Sequence, residues 1–133
     1  MRWIASRMKG ILLVCGALTC TMFRAAFDPD AALQATFGET MEGPVAEIVV
    51  RNWGVLIGLM GVMLIYAAFD VAARPLVLTV AGLSKIGFIG LILWAGRPFL
   101  AHQAGVAVVI DVIQVALFSV YLVARPCAAR PSS

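Results

Sequence analysis

Charge is what this sequence has least of. Only 13% of its 133 residues are Asp, Glu, Lys or Arg, while 62% are hydrophobic and the mean hydropathy is +1.00. An average soluble domain carries roughly a quarter charged residues and under half apolar ones. A water-soluble fold of this size could not cover so much apolar side chain with so few charges. Lipid removes the requirement, because the outer surface need no longer be polar. Histidine is nearly absent too: His102 stands alone, which excludes a His-rich metal or haem site built within the chain. The three cysteines, Cys15, Cys20 and Cys127, form no CxxC and no cluster with histidine, so neither a redox pair nor a zinc site is indicated. Cys15 and Cys20 point to different faces of a predicted helix and read as small apolar packing residues. No nucleophile motif, phosphate-binding glycine loop or paired-carboxylate site is visible. No metal and no cofactor is expected.

A net charge of +3 and a pI near 9.1 raise the question of a nucleic-acid partner. The ten basic residues are scattered, however, with no basic run interleaved with aromatics. A positive excess in a chain that crosses a membrane several times follows from topology selection. Nucleic acid is excluded as a partner; membrane lipid is expected.

What the sequence does have is long apolar runs. Four stand out, at about 8–27, 45–69, 76–96 and 104–124. Each is near the roughly 20 residues that an α-helix needs to cross a hydrocarbon core. Turn chemistry marks the boundaries: Asp28-Pro29-Asp30, Gly43-Pro44, Arg74-Pro75, Arg97-Pro98 and Arg125-Pro126. The expected fold is all-α, a single membrane domain over 1–133 built as an antiparallel bundle of four membrane helices.

The first run has a rival reading. Arg2, Arg7 and Lys9 before Ile11-Leu12-Leu13-Val14 also resemble the start of a cleavable signal peptide. Ala17 and Thr19 ahead of Cys20 fit a lipoprotein cleavage site poorly, and an even number of spans agrees better with the charges. With both termini cytoplasmic, Arg2, Arg7, Lys9, Arg74, Arg125 and Arg130 all fall on one side. The opposite side receives Arg24, Arg97, Arg51 just inside the membrane, and the acidic group Asp28, Asp30, Glu39 and Glu42. The implied location is a bacterial inner membrane. Trp94 near one interface, and Trp3, Tyr66 and Tyr121 near the other, suit an aromatic belt. The loop 28–44 is the only long connection. It reads as a solvated connector with a short helix around 31–36, or alternatively as a lid or docking surface.

Ionisable side chains within spans are costly, usually face the bundle interior, and are paired or functional. Here they are Arg51, Lys85 and Asp111, with Asn52 and Gln114 as polar companions. At 1.5 Å per residue, Arg51 lies roughly 6 Å inside the membrane and Asp111 about 10 Å. Gln114 lies about 15 Å from the same side and Lys85 roughly 16 Å. These depths bring all five within one half of the bilayer or its midplane, so the group is expected to converge as a ligand site. Asp111, Gln114, Phe118 and Tyr121 form one stripe on span four. Arg51 shares a face with Gly54, Gly58 and Gly61, a small-residue pattern that lets helices approach closely. Lys85 shares a face with Gly82 and Ile89, leaving room for a neighbour. Glu47 precedes Arg51 by one turn, in the favourable order for an ion pair. Lys85 with Asp111 reads as a buried pair that fixes helix register, as a functional pair that relays a proton or binds a polar headgroup, or as two side chains that never meet, with Lys85 snorkelling. His102, in a short outer loop beside Pro98, reads as solvated.

Arg51-Asn52-Trp53-Gly54, Gly58 and Gly61 in span two, then Lys85 with Gly87 and Gly90 in span three, give the chain a likeness to a known group. The plan resembles the small four-helix membrane proteins of the DoxX/DoxD-like group, in which a long loop follows span one. The resemblance covers most of the chain and implies, for some members, a membrane partner of quinone-linked oxidoreductases. Asp111 matches no motif of that group.

The leading expectation is a non-catalytic membrane subunit or a binder of a lipid-like or quinone-like ligand, with a membrane or redox partner protein or a homo-oligomer as further company. The second is a small isomerase- or cyclase-type membrane enzyme, in which Asp111 and Lys85 move protons and Arg51 stabilises developing charge. The third is an oligomeric transporter or channel.

Overall fold

A computed structural model describes residues 2–124 of the chain. Every regular element among them is helical: α1 (Arg2–Cys20), α2 (Arg24–Phe27), α3 (Pro29–Phe37), α4 (Pro44–Phe69), α5 (Arg74–Ala95) and α6 (Gln103–Ala124). Tight 3₁₀ turns at Thr21–Phe23, Val71–Ala73 and Arg97–Ala101 join or extend them. Four stretches are long and apolar enough to cross a membrane: Arg7–Phe27, Pro44–Phe69, Val71–Ala95 and Gln103–Ala124. They lie within a few residues of the four apolar runs. Arg125, Cys127 and Arg130, used above for topology and cysteine chemistry, lie outside the described residues.

Local chemistry sets the ends of these helices. Asp28 caps α3, its carboxylate accepting from the Ala31 amide at 3.1 Å, with Pro29 in the first turn. Gly38 then ends α3 in a left-handed conformation at φ 72°, which an L side chain tolerates poorly. Asp70 performs two tasks between α4 and α5. It accepts from the Ala72 amide at 3.0 Å and receives the Tyr66 hydroxyl at 3.0 Å. Arg74, buried at 7% exposure, donates Nε to the Ala67 carbonyl at 2.8 Å and Nη2 to the Ala68 carbonyl at 3.0 Å. It thereby satisfies carbonyls that the end of α4 leaves without partners.

The most extensive pairing is between α1 and α4, followed by α5 with α6. Glycine makes the first possible. A Cβ on Gly61 would meet the Cys20 amide at 2.6 Å, one on Gly58 the Phe23 ring at 2.6 Å, and one on Gly54 the Ala25 methyl at 2.7 Å. Residue numbers rise along the first stretch as they fall along α4. One apolar cluster gathers Met8, Leu12, Leu64, Leu78, Ala81 and Phe118 around the α4–α5 turn. A smaller one, around Ile92, Ala104 and Val108, lies toward the α5–α6 turn. Outward faces carry large apolar side chains on every long helix, including Val14, Leu59, Leu83, Val109 and Val112.

Tyr121 corrects the aromatic-belt expectation. It is buried at 8% exposure, with the Arg74 guanidinium 6.0 Å from its ring centroid. Trp94 at 85% and Tyr66 at 59% exposure do face outward.

Candidate functional site

Lys85 Nζ donates to Asp111 Oδ1 at 2.6 Å, joining α5 to α6. Both residues sit near the middle of helices of 22 residues. Their side chains are 11% and 15% exposed, so the pair is mostly withdrawn without being sealed. Cys15 is buried on α1, and Thr19 one turn on turns its hydroxyl to the Cys15 carbonyl at 2.8 Å. The Lys85–Asp111 pair lies on the seam between α5 and α6, which are packed together. Gln114 follows Asp111 by one turn on the inward stripe, buried at 3% exposure, and its Oε1 has no hydrogen-bond partner. Phe118 and Tyr121 continue the same buried stripe, as the spacing requires.

The expected convergence of five polar groups is only partly realised. Arg51 uses its three nitrogens elsewhere: Nε and Nη2 donate to Glu47 Oε1 at 3.0 and 2.8 Å, and Nη1 donates to the Ala26 carbonyl. It therefore clamps the end of the first stretch to α4, on the same face as Gly54, Gly58 and Gly61. Its ion pair with Glu47 is 42% and 55% exposed, a setting in which such pairs contribute little. Asn52 is exposed and turned away from that face. Gly82, expected beside a close neighbour of Lys85, has open space within 4 Å of where its Cβ would be. The polar site proper is Lys85, Asp111 and Gln114. Among the described residues, no three His, Cys, Asp or Glu side chains gather as a metal site needs.

A second feature escaped the sequence. An apolar groove of about 370 Å³ opens between α4 and α5, walled by Val50, Trp53, Phe88 and Ile92, with Leu33 and Phe37 of α3 over it. Phe37 fixes this roof, its ring 6.2 Å from that of Trp53 and edge-on to Phe99 at 5.3 Å. The His102 ring packs directly over Gly38, leaving no room there for a Cβ; the histidine is exposed yet holds the end of α3. The loop after the first stretch is therefore a short helix docked on the bundle end rather than a free connector. Phe88 stands one turn from Lys85 on α5, where side chains three apart are neighbours. The groove thus begins one helical turn from Lys85 on α5, although Lys85, Asp111 and Gln114 are not part of its wall. The one signal in the sequence was Phe37 just before the helix-ending Gly38, and it named no partner.

Compared with protein-family models, with curated proteins and with solved structures, the chain finds no match.

Proposed function

We propose that this protein is an integral membrane protein whose four long helices cross the bilayer as an antiparallel bundle, and that it binds a lipid-like or quinone-like molecule without transforming it. The four apolar stretches and the large apolar side chains on their outer faces support insertion, since soluble monomers rarely expose such continuous apolar surface. Both termini then lie on the cytoplasmic face. The row Arg51, Gly54, Gly58 and Gly61, packed on the first stretch, supports placing the chain with the DoxX/DoxD-like group as part of this reading.

The observation that carries the ligand reading is the Lys85–Asp111 contact at 2.6 Å midway along α5 and α6, still 11% and 15% open. A charge pair at that depth, beside an apolar groove, is a polar foothold in hydrocarbon. Among the described residues no second acid–base group is ion-paired or hydrogen-bonded to it, and binding rather than turnover is the activity this supports. Ligand pockets of this kind are mostly apolar, with a few placed polar groups that fix orientation.

The test replaces both charges at once, Lys85→Met with Asp111→Leu, and measures by native mass spectrometry the lipid-soluble molecule that the detergent-purified protein retains. Wild type should carry it and the double variant should lose it while staying helical. Equal retention in both would leave the pair as a register-fixing contact only.

A further inference from the structure

Hydrogen-bond capacity at the polar site is only partly used. An ammonium group has three donors and no acceptor, and a carboxylate accepts at both oxygens. Lys85 gives one donor to Asp111 Oδ1. Gln114 Oε1, one turn along α6 and sealed from solvent, receives none. Buried polar groups are otherwise paired almost without exception, and inside hydrocarbon an unpaired one is especially costly. Gln114 Oε1 is therefore an acceptor in reach of a donor that the described side chains do not supply.

We infer that the occupant carries an uncharged hydroxyl head on a hydrocarbon tail. This rests on the ligand reading proposed above and narrows it to its lipid-like half, since a quinone carbonyl only accepts. A hydroxyl both donates and accepts. It accepts from the Lys85 ammonium on its oxygen and donates its own proton to Gln114 Oε1. Charge sets the selectivity. Lys85 and Asp111 together are net neutral, so a neutral head keeps the balance. A phosphate head draws Lys85 away and leaves the Asp111 carboxylate uncompensated in a low dielectric, where that is most unfavourable. An ether or ester offers acceptors alone and leaves Gln114 Oε1 as it is. The tail follows the α5 face past Phe88 into the groove roofed by Phe37.

The experiment titrates the full chain, in phosphatidylcholine nanodiscs, with tetradecanol, its methyl ether and tetradecyl phosphate, and reads occupancy by native mass spectrometry. Tetradecanol should bind at least tenfold tighter than either of the others. Gln114→Leu should weaken tetradecanol at least fivefold while leaving the methyl ether unchanged and the protein folded. Phosphate or ether binding as tight as the alcohol, or a Gln114→Leu protein that binds the alcohol like wild type, overturns the hydroxyl head but not the ligand site. If, in addition, the Lys85→Met/Asp111→Leu protein keeps the molecule that wild type retains, the ligand reading fails with it.

Discussion

Gly61 of α4 and Cys20 of α1 meet backbone to backbone: a Cβ added at Gly61 would lie 2.6 Å from the Cys20 amide nitrogen and 2.8 Å from the Gly16 carbonyl oxygen. Lipid tails are as apolar as leucine, so membrane helices associate through close packing rather than through exclusion of water. Gly61→Leu should therefore separate α1 from α4 and destabilise the fold by about 1–3 kcal/mol, the usual range for overpacking. Gly90 is the control. Nothing lies within 4 Å of its Cβ position, and Gly90→Ala should stabilise by roughly 0.5–1 kcal/mol through the helix interior alone. Thermal unfolding in detergent distinguishes the two, and similar effects at both sites would contradict the packing assignment.

Arg74 is a capping group. Its guanidinium bridges the Ala67 and Ala68 carbonyls beside the Tyr121 ring. Hydrogen bonds from charged donors contribute about 1.5–3 kcal/mol, and Arg74→Leu should lose about that much. Arg74→Lys should recover only part, because an ammonium lacks the planar fork. Full recovery by lysine would show that charge alone matters.

Lys85 and Asp111 should behave as a unit in a double-mutant cycle. Asp111→Ala leaves Lys85 charged and unpaired, a change that costs about 3–5 kcal/mol when the pair is buried. Lys85→Met with Asp111→Leu should restore stability to near wild type, since apolar replacement of such a pair is often neutral. Additive losses in unfolding measurements would mean that the two side chains act independently.

Phe37 should govern the roof of the groove. Its two ring pairs are worth about 0.5–1.5 kcal/mol each beyond burial. Phe37→Ala should therefore speed hydrogen exchange in α3 and residues 38–43 while the amides of α5 and α6 stay protected. Uniform loss of protection would show that Phe37 supports the whole bundle.

The long helices were legible because continuous apolar length sufficient to cross a membrane is written in one dimension. Proline and glycine then fixed their ends, as at Gly43-Pro44 and Arg74-Pro75. The contact of Lys85 with Asp111 was left open by the sequence: helical rise puts the two charges roughly 6 Å apart in depth, a gap a lysine stem can cover, without saying that the helices turn them together. Arg51 shows where such reasoning stops. Its expected depth does not say which neighbour a helix face meets; the glycine row turned Arg51 toward Ala26 on the first stretch. Tyr121 erred the same way, its depth suggesting an interface while its rotation tucked it under Arg74. The groove was invisible because it arises from the limited contact of α4 with α5, a property of packing rather than of either helix.

Every role given to Lys85, Asp111 and Gln114 depends on four passages through a bilayer. The most direct check places single cysteines at Glu42 and Asp70, with Cys15, Cys20 and Cys127 changed to alanine, and labels sealed right-side-out vesicles with an impermeant maleimide. The cysteine at 42 should react at once and the one at 70 only after the membrane is opened. Labelling of both from the same side in intact vesicles would contradict the account.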